Sequence, residues 1–307
     1  MNGQPCSAGM GIGGTWHGDI VRITLSERHG TVAYSDPEEG RTMGKAKNGE
    51  IEIFYGDEGD GFPVLLIHGH TLDHRVWDDV VPGLVGAGLR VIRPDLRGHG
   101  RSSMPGSGYH ISHHAADMRA VLDSAGVEEA IVVGFSLGGA VAMELVLESP
   151  ERVSHLALVA PVMPDRPFEP RFLENIKQVA RVARTEGIRA AMEGPWAASP
   201  LFAVSLAKPG VREKLEPILR DFPGAEYLAT ARDHVERDWT VPERLGEVDV
   251  PTTVMVGGKE MPGFKEYARE AAKRIPGAKL VEVPGCGHLL PLEAPGSVTA
   301  AVLDLYT

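Results

Sequence analysis

Short aliphatic runs, each ended by turn residues and separated by stretches with apolar residues at helical spacing, constrain this chain more than any other feature. Val64–Ile67, Arg90–Arg93, Ala130–Val133 and Leu156–Val159 are such runs, and Asp117–Ser124 and Ala140–Glu148 between them have helical spacing. Thr252–Val256 and Lys279–Val283 continue the series around a helical Tyr267–Arg274. A strand that is apolar on both faces must be covered on both faces. The pattern therefore predicts an α/β fold with a mostly parallel, doubly wound sheet. Ile51–Tyr55 alternates like a half-exposed strand, and Val21–Leu25 and Thr31–Tyr34 read as short strands with polar connections.

Residues 163–242 break this rhythm. They open with Pro164, Pro167 and Pro170 and then carry helical patterns without a strand. Phe172, Leu173, Ile176, Val179 and Val182 form one apolar stripe, and Leu215, Ile218 and Leu219 suggest a second. This divides the chain into an N-terminal extension (1–48, partly flexible), a core (49–162 and 243–307) and a helical insertion (163–242). A length of 307 residues suits one large α/β unit carrying an insertion.

The net charge of −11 makes a poor partner for nucleic acid or an anionic membrane surface. Cys6 and Cys286 are too few for a disulfide framework. No apolar run approaches the ~18 residues of a membrane helix. The first 14 residues lack the basic start and apolar stretch of a secretory signal, so a reducing cytoplasm is the expected compartment. Gly9, Gly11 and Gly14 have G-x-G-x-x-G spacing, but no strand precedes them and no helix follows, which argues against a nucleotide loop.

Chemistry is concentrated at Gly134-Phe135-Ser136-Leu137-Gly138, where the run Ala130–Val133 passes into a helical pattern. A serine on so sharp a strand-to-helix turn is pushed clear of the sheet, and glycine two residues to either side avoids collision across the turn. Ser136 is the candidate nucleophile. It needs an adjacent base, and His288, in the glycine-rich loop after Lys279–Val283, is the best placed of the twelve histidines.

The elbow, His68-Gly69 after a strand, Asp95-Leu96-Arg97-Gly98-His99-Gly100-Arg101-Ser102, and Gly285-Cys286-Gly287-His288 stand in an order that resembles the capped α/β-hydrolases from about Gly49 to the end of the chain. The resemblance implies that residues 163–242 form the cap. It also implies that an acid follows the strand Thr252–Val256 in a G-x-x-D turn. Here that turn reads Gly257-Gly258-Lys259-Glu260, so Glu260 takes the place of the commoner aspartate. Asp165, after Leu156–Val159, is the rival. The oxyanion donors implied are the backbone amides of Leu137 and His70. Ser136 sets the chain apart from relatives with aspartate at the elbow, the haloalkane dehalogenases and epoxide hydrolases.

The expected reaction is hydrolysis of a small to medium apolar carboxylic ester through an acyl-enzyme, with no cofactor. Lactone or enol-lactone opening, carbon–carbon bond hydrolysis and perhydrolysis are alternatives on the same triad, and a non-catalytic small-molecule receptor is the alternative from another class. Phe135, Trp77, Met192, Trp196 and Phe202 are the candidate pocket residues. The stretch His68-Gly69-His70-Thr71-Leu72-Asp73-His74 approaches a zinc-hydrolase pattern, but one residue too many separates His70 from Asp73, and no metal is expected. His110, His113 and His114 read as a polar helix start.

Overall fold

The computed structural model describes residues 22–26, 31–36, 41–229 and 235–307. The aliphatic runs become strands of a single sheet: β1 (Arg22–Ser26), β2 (Thr31–Asp36), β3 (Arg41–Asn48), β4 (Ile51–Glu58), β5 (Phe62–Ile67), β6 (Leu89–Pro94), β7 (Ala130–Phe135), β8 (Val153–Val159), β9 (Thr252–Gly257) and β10 (Lys279–Val283). Their spatial order is β1-β2-β3-β4-β6-β5-β7-β8-β9-β10. Strands β1 to β4 pair antiparallel, as do β4 and β6. From β6 to β10 every neighbouring pair is parallel. The Gly9–Gly14 motif lies outside the described residues.

Segment 41–48, read from the sequence as a polar connection, is a strand paired with β4 along its whole length. Its inward positions are Gly44 and Ala46 while Lys45 and Lys47 face water, so it buries a side without an aliphatic signature. The central strands show the opposite pattern, with all of β7 and β9 buried. The helix Leu137–Glu148 is buried from Gly138 to Leu147 and carries no polar face, as expected of a helix covered on all sides.

Between β8 and β9 the chain is helical or irregular throughout its described residues. Phe172, Val179 and Val182 of the predicted stripe are buried in the helix Pro170–Thr185, but Leu173 is 39% exposed. At 100° per residue Leu173 is rotated off the face that Phe172 and Val179 share. Leu215, Ile218 and Leu219 are buried together in the helix Val211–Asp221.

A buried ion pair fixes the loop after β6. Arg97 donates from Nε and Nη2 to the two carboxylate oxygens of Asp117, both at 2.6 Å, and Asn48 donates to the same carboxylate at 2.9 Å. Removing one partner strands a charge in the interior, which costs about 3–5 kcal/mol. Arg97→Ala is expected to lower the urea unfolding free energy by about that amount. A loss below about 1 kcal/mol would mean that Asp117 finds water instead.

Candidate active site

The carboxyl ends of β5, β7, β9 and β10 deliver all the chemistry-bearing groups to one edge of the sheet, where parallel α/β folds bind their ligands. At the end of β7 the chain turns through Ser136, with φ 54° and ψ −114°, directly into the helix Leu137–Glu148. Such a backbone costs about 1–3 kcal/mol and persists only where its surroundings impose it. Here the Ser136 amide donates to the Val159 carbonyl at 2.9 Å, and the Ser136 carbonyl accepts from the amides of Gly139 (2.9 Å) and Val162 (3.0 Å). The glycines are steric necessities: a Cβ on Gly134 would stand 2.3 Å from the Gly138 carbonyl oxygen, and one on Gly138 2.2 Å from that of Ile67.

His288 bridges this serine to an acid. Its Nε2 lies 3.0 Å from Ser136 Oγ, and its Nδ1 lies 2.6 Å from Glu260 Oε2. The other oxygen of Glu260 accepts the Met261 amide at 2.7 Å, so both lone-pair faces of a buried carboxylate are engaged. The turns that carry acid and base are locked together, with the Lys259 amide donating to the Cys286 carbonyl at 2.8 Å. A Cβ on Gly257 would come within 2.1 Å of the Gly287 carbonyl oxygen. The rings of Phe264 and Phe135, 4.7 and 5.2 Å from the imidazole, shield it from water.

Asp165 is elsewhere. Its carboxylate accepts from Arg237 at 3.0 Å and from the Val241 amide at 3.1 Å, tying the end of the helical insertion to its beginning. Arg237 also reaches the buried Glu144 at 3.0 Å. Cys286 is 4% exposed, 2.9 Å from Lys208 Nζ.

Above Ser136 lies a cavity of about 290 Å³. Phe135, Trp196 and Phe202 line it, together with Gly69, His70 and Leu137. Trp77 and Met192 do not, contrary to expectation. Both are fully buried, Trp77 edge-on to Phe135 and Met192 at the start of the irregular turn Met192–Trp196. Apolarity marks a side chain for burial but cannot tell core from cavity wall. Phe168, Phe264, Glu226 and Tyr227 line the cavity and were missed. Phe264, four residues beyond Glu260 at the start of a helix, carried the one usable signal; Glu226 and Tyr227 carried none.

His70 and Leu137 both line the cavity, and among the described residues neither backbone amide has a protein acceptor. The nearby histidines are committed as neutral rings. His68 donates from Nδ1 to the Gly69 carbonyl and accepts the Leu96 amide on Nε2; His99 donates from Nδ1 to the Arg97 carbonyl and accepts the Thr71 amide on Nε2. His70, His99 and Glu226 converge closely enough to bind a cation, as do Asp73, His74 and Asp95. In the first group the amide of Thr71 already occupies the His99 lone pair. In the second, both Asp95 oxygens accept hydrogen bonds from His74 and Arg101. Neither donor set fits a metal without rearrangement. His110 caps the helix Ile111–Ser124, while His114 turns inward and is buried.

Burial holds these rings neutral. It pushes His99 down to about 3, with the neighbouring His68 and His70 adding to the effect, and lowers His68 and His114 as well. In the unfolded chain each takes up a proton near pH 6.5. The unfolded state therefore binds more protons below that pH, and stability present above it is lost as pH falls toward 3. The thermal midpoint is expected to drop by several degrees between about pH 7.5 and about pH 5. An unchanged or rising midpoint would contradict buried neutral histidines.

Comparison with known proteins gives the architecture a family. The sequence profile of the alpha/beta hydrolase fold matches residues 63–295. A putative non-heme chloroperoxidase of Synechocystis is 32% identical over 262 residues, spanning 81% of this chain and 92% of the relative. The bifunctional esterase/perhydrolase DCH of Acinetobacter calcoaceticus is 26% identical, spanning 78% and 91% of the two chains. Among solved structures, a thermophilic esterase from Thermogutta terrifontis superposes with a TM-score of 0.72 at 30% identity, covering 86% of this chain and 97% of its own. No helix among the described residues is long and apolar enough to cross a membrane.

Proposed function

Since this chain belongs to the alpha/beta hydrolase fold family, we propose that it is a serine hydrolase that cleaves small to medium apolar carboxylic esters through an acyl-enzyme, with residues 163–242 as a cap over the site. The observation that carries this reading is the single imidazole hydrogen-bonded to Ser136 on one nitrogen and to Glu260 on the other.

In the first half-reaction Ser136 Oγ attacks the ester carbonyl carbon while its proton passes to His288 Nε2. Negative charge develops on the carbonyl oxygen, where the amides of His70 and Leu137 receive it; such preorganised donors contribute several kcal/mol to the rate. Glu260 accepts a hydrogen bond from the Nδ1–H of His288, which fixes the tautomer and stabilises the imidazolium. Collapse of the tetrahedral intermediate breaks the bond to the alcohol, which takes the proton from Nε2. Water then attacks the acyl-enzyme, gives its proton to His288, and a second collapse returns Ser136 and frees the acid. A lactone passes through the same steps with its alcohol still tethered to the acyl group.

The cavity volume supports the substrate size, being at the lower end of the ~300–1,000 Å³ of small-molecule sites. Its aromatic walls favour an apolar substituent on the carbonyl.

Ser136→Ala is expected to abolish turnover of p-nitrophenyl esters and covalent labelling by a fluorophosphonate. Glu260→Gln is expected to lower kcat by about 10³–10⁴, because the amide favours the wrong tautomer, whereas Asp165→Asn keeps kcat within about twofold. Full loss in Asp165→Asn with little change in Glu260→Gln would reassign the acid. A folded protein that binds apolar ligands yet neither turns over esters nor takes the label would favour a receptor.

A further inference from the structure

The two residues that follow the His68-Gly69 turn are both gripped by side chains of the cap. The Tyr227 hydroxyl is 2.9 Å from His70 Nε2, and Glu226 Oε1 is 3.4 Å from the other ring nitrogen, so consecutive cap residues bracket one imidazole. Trp196 donates its indole N–H to Thr71 Oγ1 at 2.6 Å. On the core side the Thr71 amide donates to His99 at 3.2 Å.

Thr71 needs such restraint. It is fully buried at φ 63°, a left-handed backbone that a β-branched residue adopts only under duress. Its carbonyl side leads into the chain that turns under the cap, and its amide side is the peptide joined to His70. The His70 N–H lies in the preceding Gly69–His70 peptide, so slippage of this strained turn would reach it through the φ and ψ of His70 and shift it from a bound carbonyl.

We propose that Trp196 and Tyr227 are positioning residues that hold the His70-Thr71 turn in register, so that the oxyanion hole is complete only while the cap is seated. This inference rests on the serine-hydrolase reading and on the His70 amide being an oxyanion donor. Its physical basis is that a donor stabilises a transition state only if it is aimed beforehand, and misplacement by about 1 Å can cost 10²-fold in rate. Burial, reinforced by the neighbouring His68, lowers His70 to about 4, so the ring is neutral at neutral pH; with Nδ1–H turned to Glu226, Nε2 accepts a hydrogen bond from the Tyr227 hydroxyl.

Thr71 is absent from the cavity wall, so removing its hydroxyl deletes no wall atom and acts on the site through the Trp196 indole that it anchors. The test uses Thr71→Val, which deletes the acceptor but keeps the branching, Thr71→Ser, which restores the hydroxyl, and Tyr227→Phe. For each, kcat and KM are measured on a p-nitrophenyl ester that the parent turns over, well below the variant's thermal midpoint. The affinity of a trifluoromethyl ketone is measured in parallel, since its adduct with Ser136 places an oxyanion between the two amides. Thr71→Val and Tyr227→Phe are expected to lower kcat and weaken the ketone by about tenfold each, with KM within about twofold, and Thr71→Ser to retain at least half of the parental kcat. Should Thr71→Val fail to fold, Tyr227→Phe carries the same test alone.

Parental kcat in both Thr71→Val and Tyr227→Phe, or an effect confined to KM, would overturn the proposal. So would a Thr71→Ser variant as slow as Thr71→Val. Hydrolysis that survives Ser136→Ala would instead overturn the underlying functional reading.

Discussion

The helix Leu137–Glu148 packs against the ends of β5 and β7 with no space for a side chain between them, and the site depends on that contact. Where Gly138 meets the Ile67 carbonyl there is no room for a side chain, and the same contact leaves no room for a gentler turn. The chain reverses through Ser136 in a positive-φ conformation, the hydroxyl is lifted off the sheet, and the Leu137 amide is left without a helical acceptor. Because β5 runs beside β7 in parallel register, the loop after β5 emerges next to that hydroxyl. His70 arrives there through strand pairing, not through any attraction to the serine.

Glu260 and His288 are brought in by the same logic from the other side. Strands β9 and β10 are parallel neighbours, so their carboxyl-end turns lie side by side, and the contact between Gly257 and Gly287 brings Glu260 against His288. Burying a carboxylate is costly unless its oxygens are satisfied. Met261 and His288 supply one donor each, so Glu260 is stable in place and can fix the ring tautomer. Around Glu260 and His288 several polar groups are held neutral or tied to backbone. The two histidines of the His68 and His99 pair give their lone pairs to amides of the loops they brace. The result is a site with few ionised groups, walled by aromatic rings.

Much of this was legible in the sequence because it follows from short-range geometry. The elbow, the alternation of buried strands and helices, and the loop of His288 all leave marks within a few residues. The third member of the cluster depended on a resemblance, since nothing local distinguishes Glu260 from a solvated partner of Lys259. What stayed hidden was set by long-range packing. Among its described residues, segment 41–48 buries Gly44 and Ala46 alone, so its strand had no apolar pattern to show; it passes into β4 through the two-residue turn Gly49-Glu50. Trp77 and Met192 were misjudged as cavity walls because hydrophobicity reports burial and not what lies beyond the side chain. Glu226 and Tyr227 reach the site only through the path of the cap, and no spacing relates them to Ser136.

The account comes down to one covalent event: transfer of an acyl group to Ser136 by way of His288. Rapid acid quenching during turnover of a slowly deacylating ester, followed by intact-mass analysis and peptide mapping, observes it directly. The account predicts one acyl group per chain, located on the peptide that holds Ser136, and none on a His288→Ala variant. Turnover with an unmodified Ser136, or an acyl group on any other side chain, would contradict it.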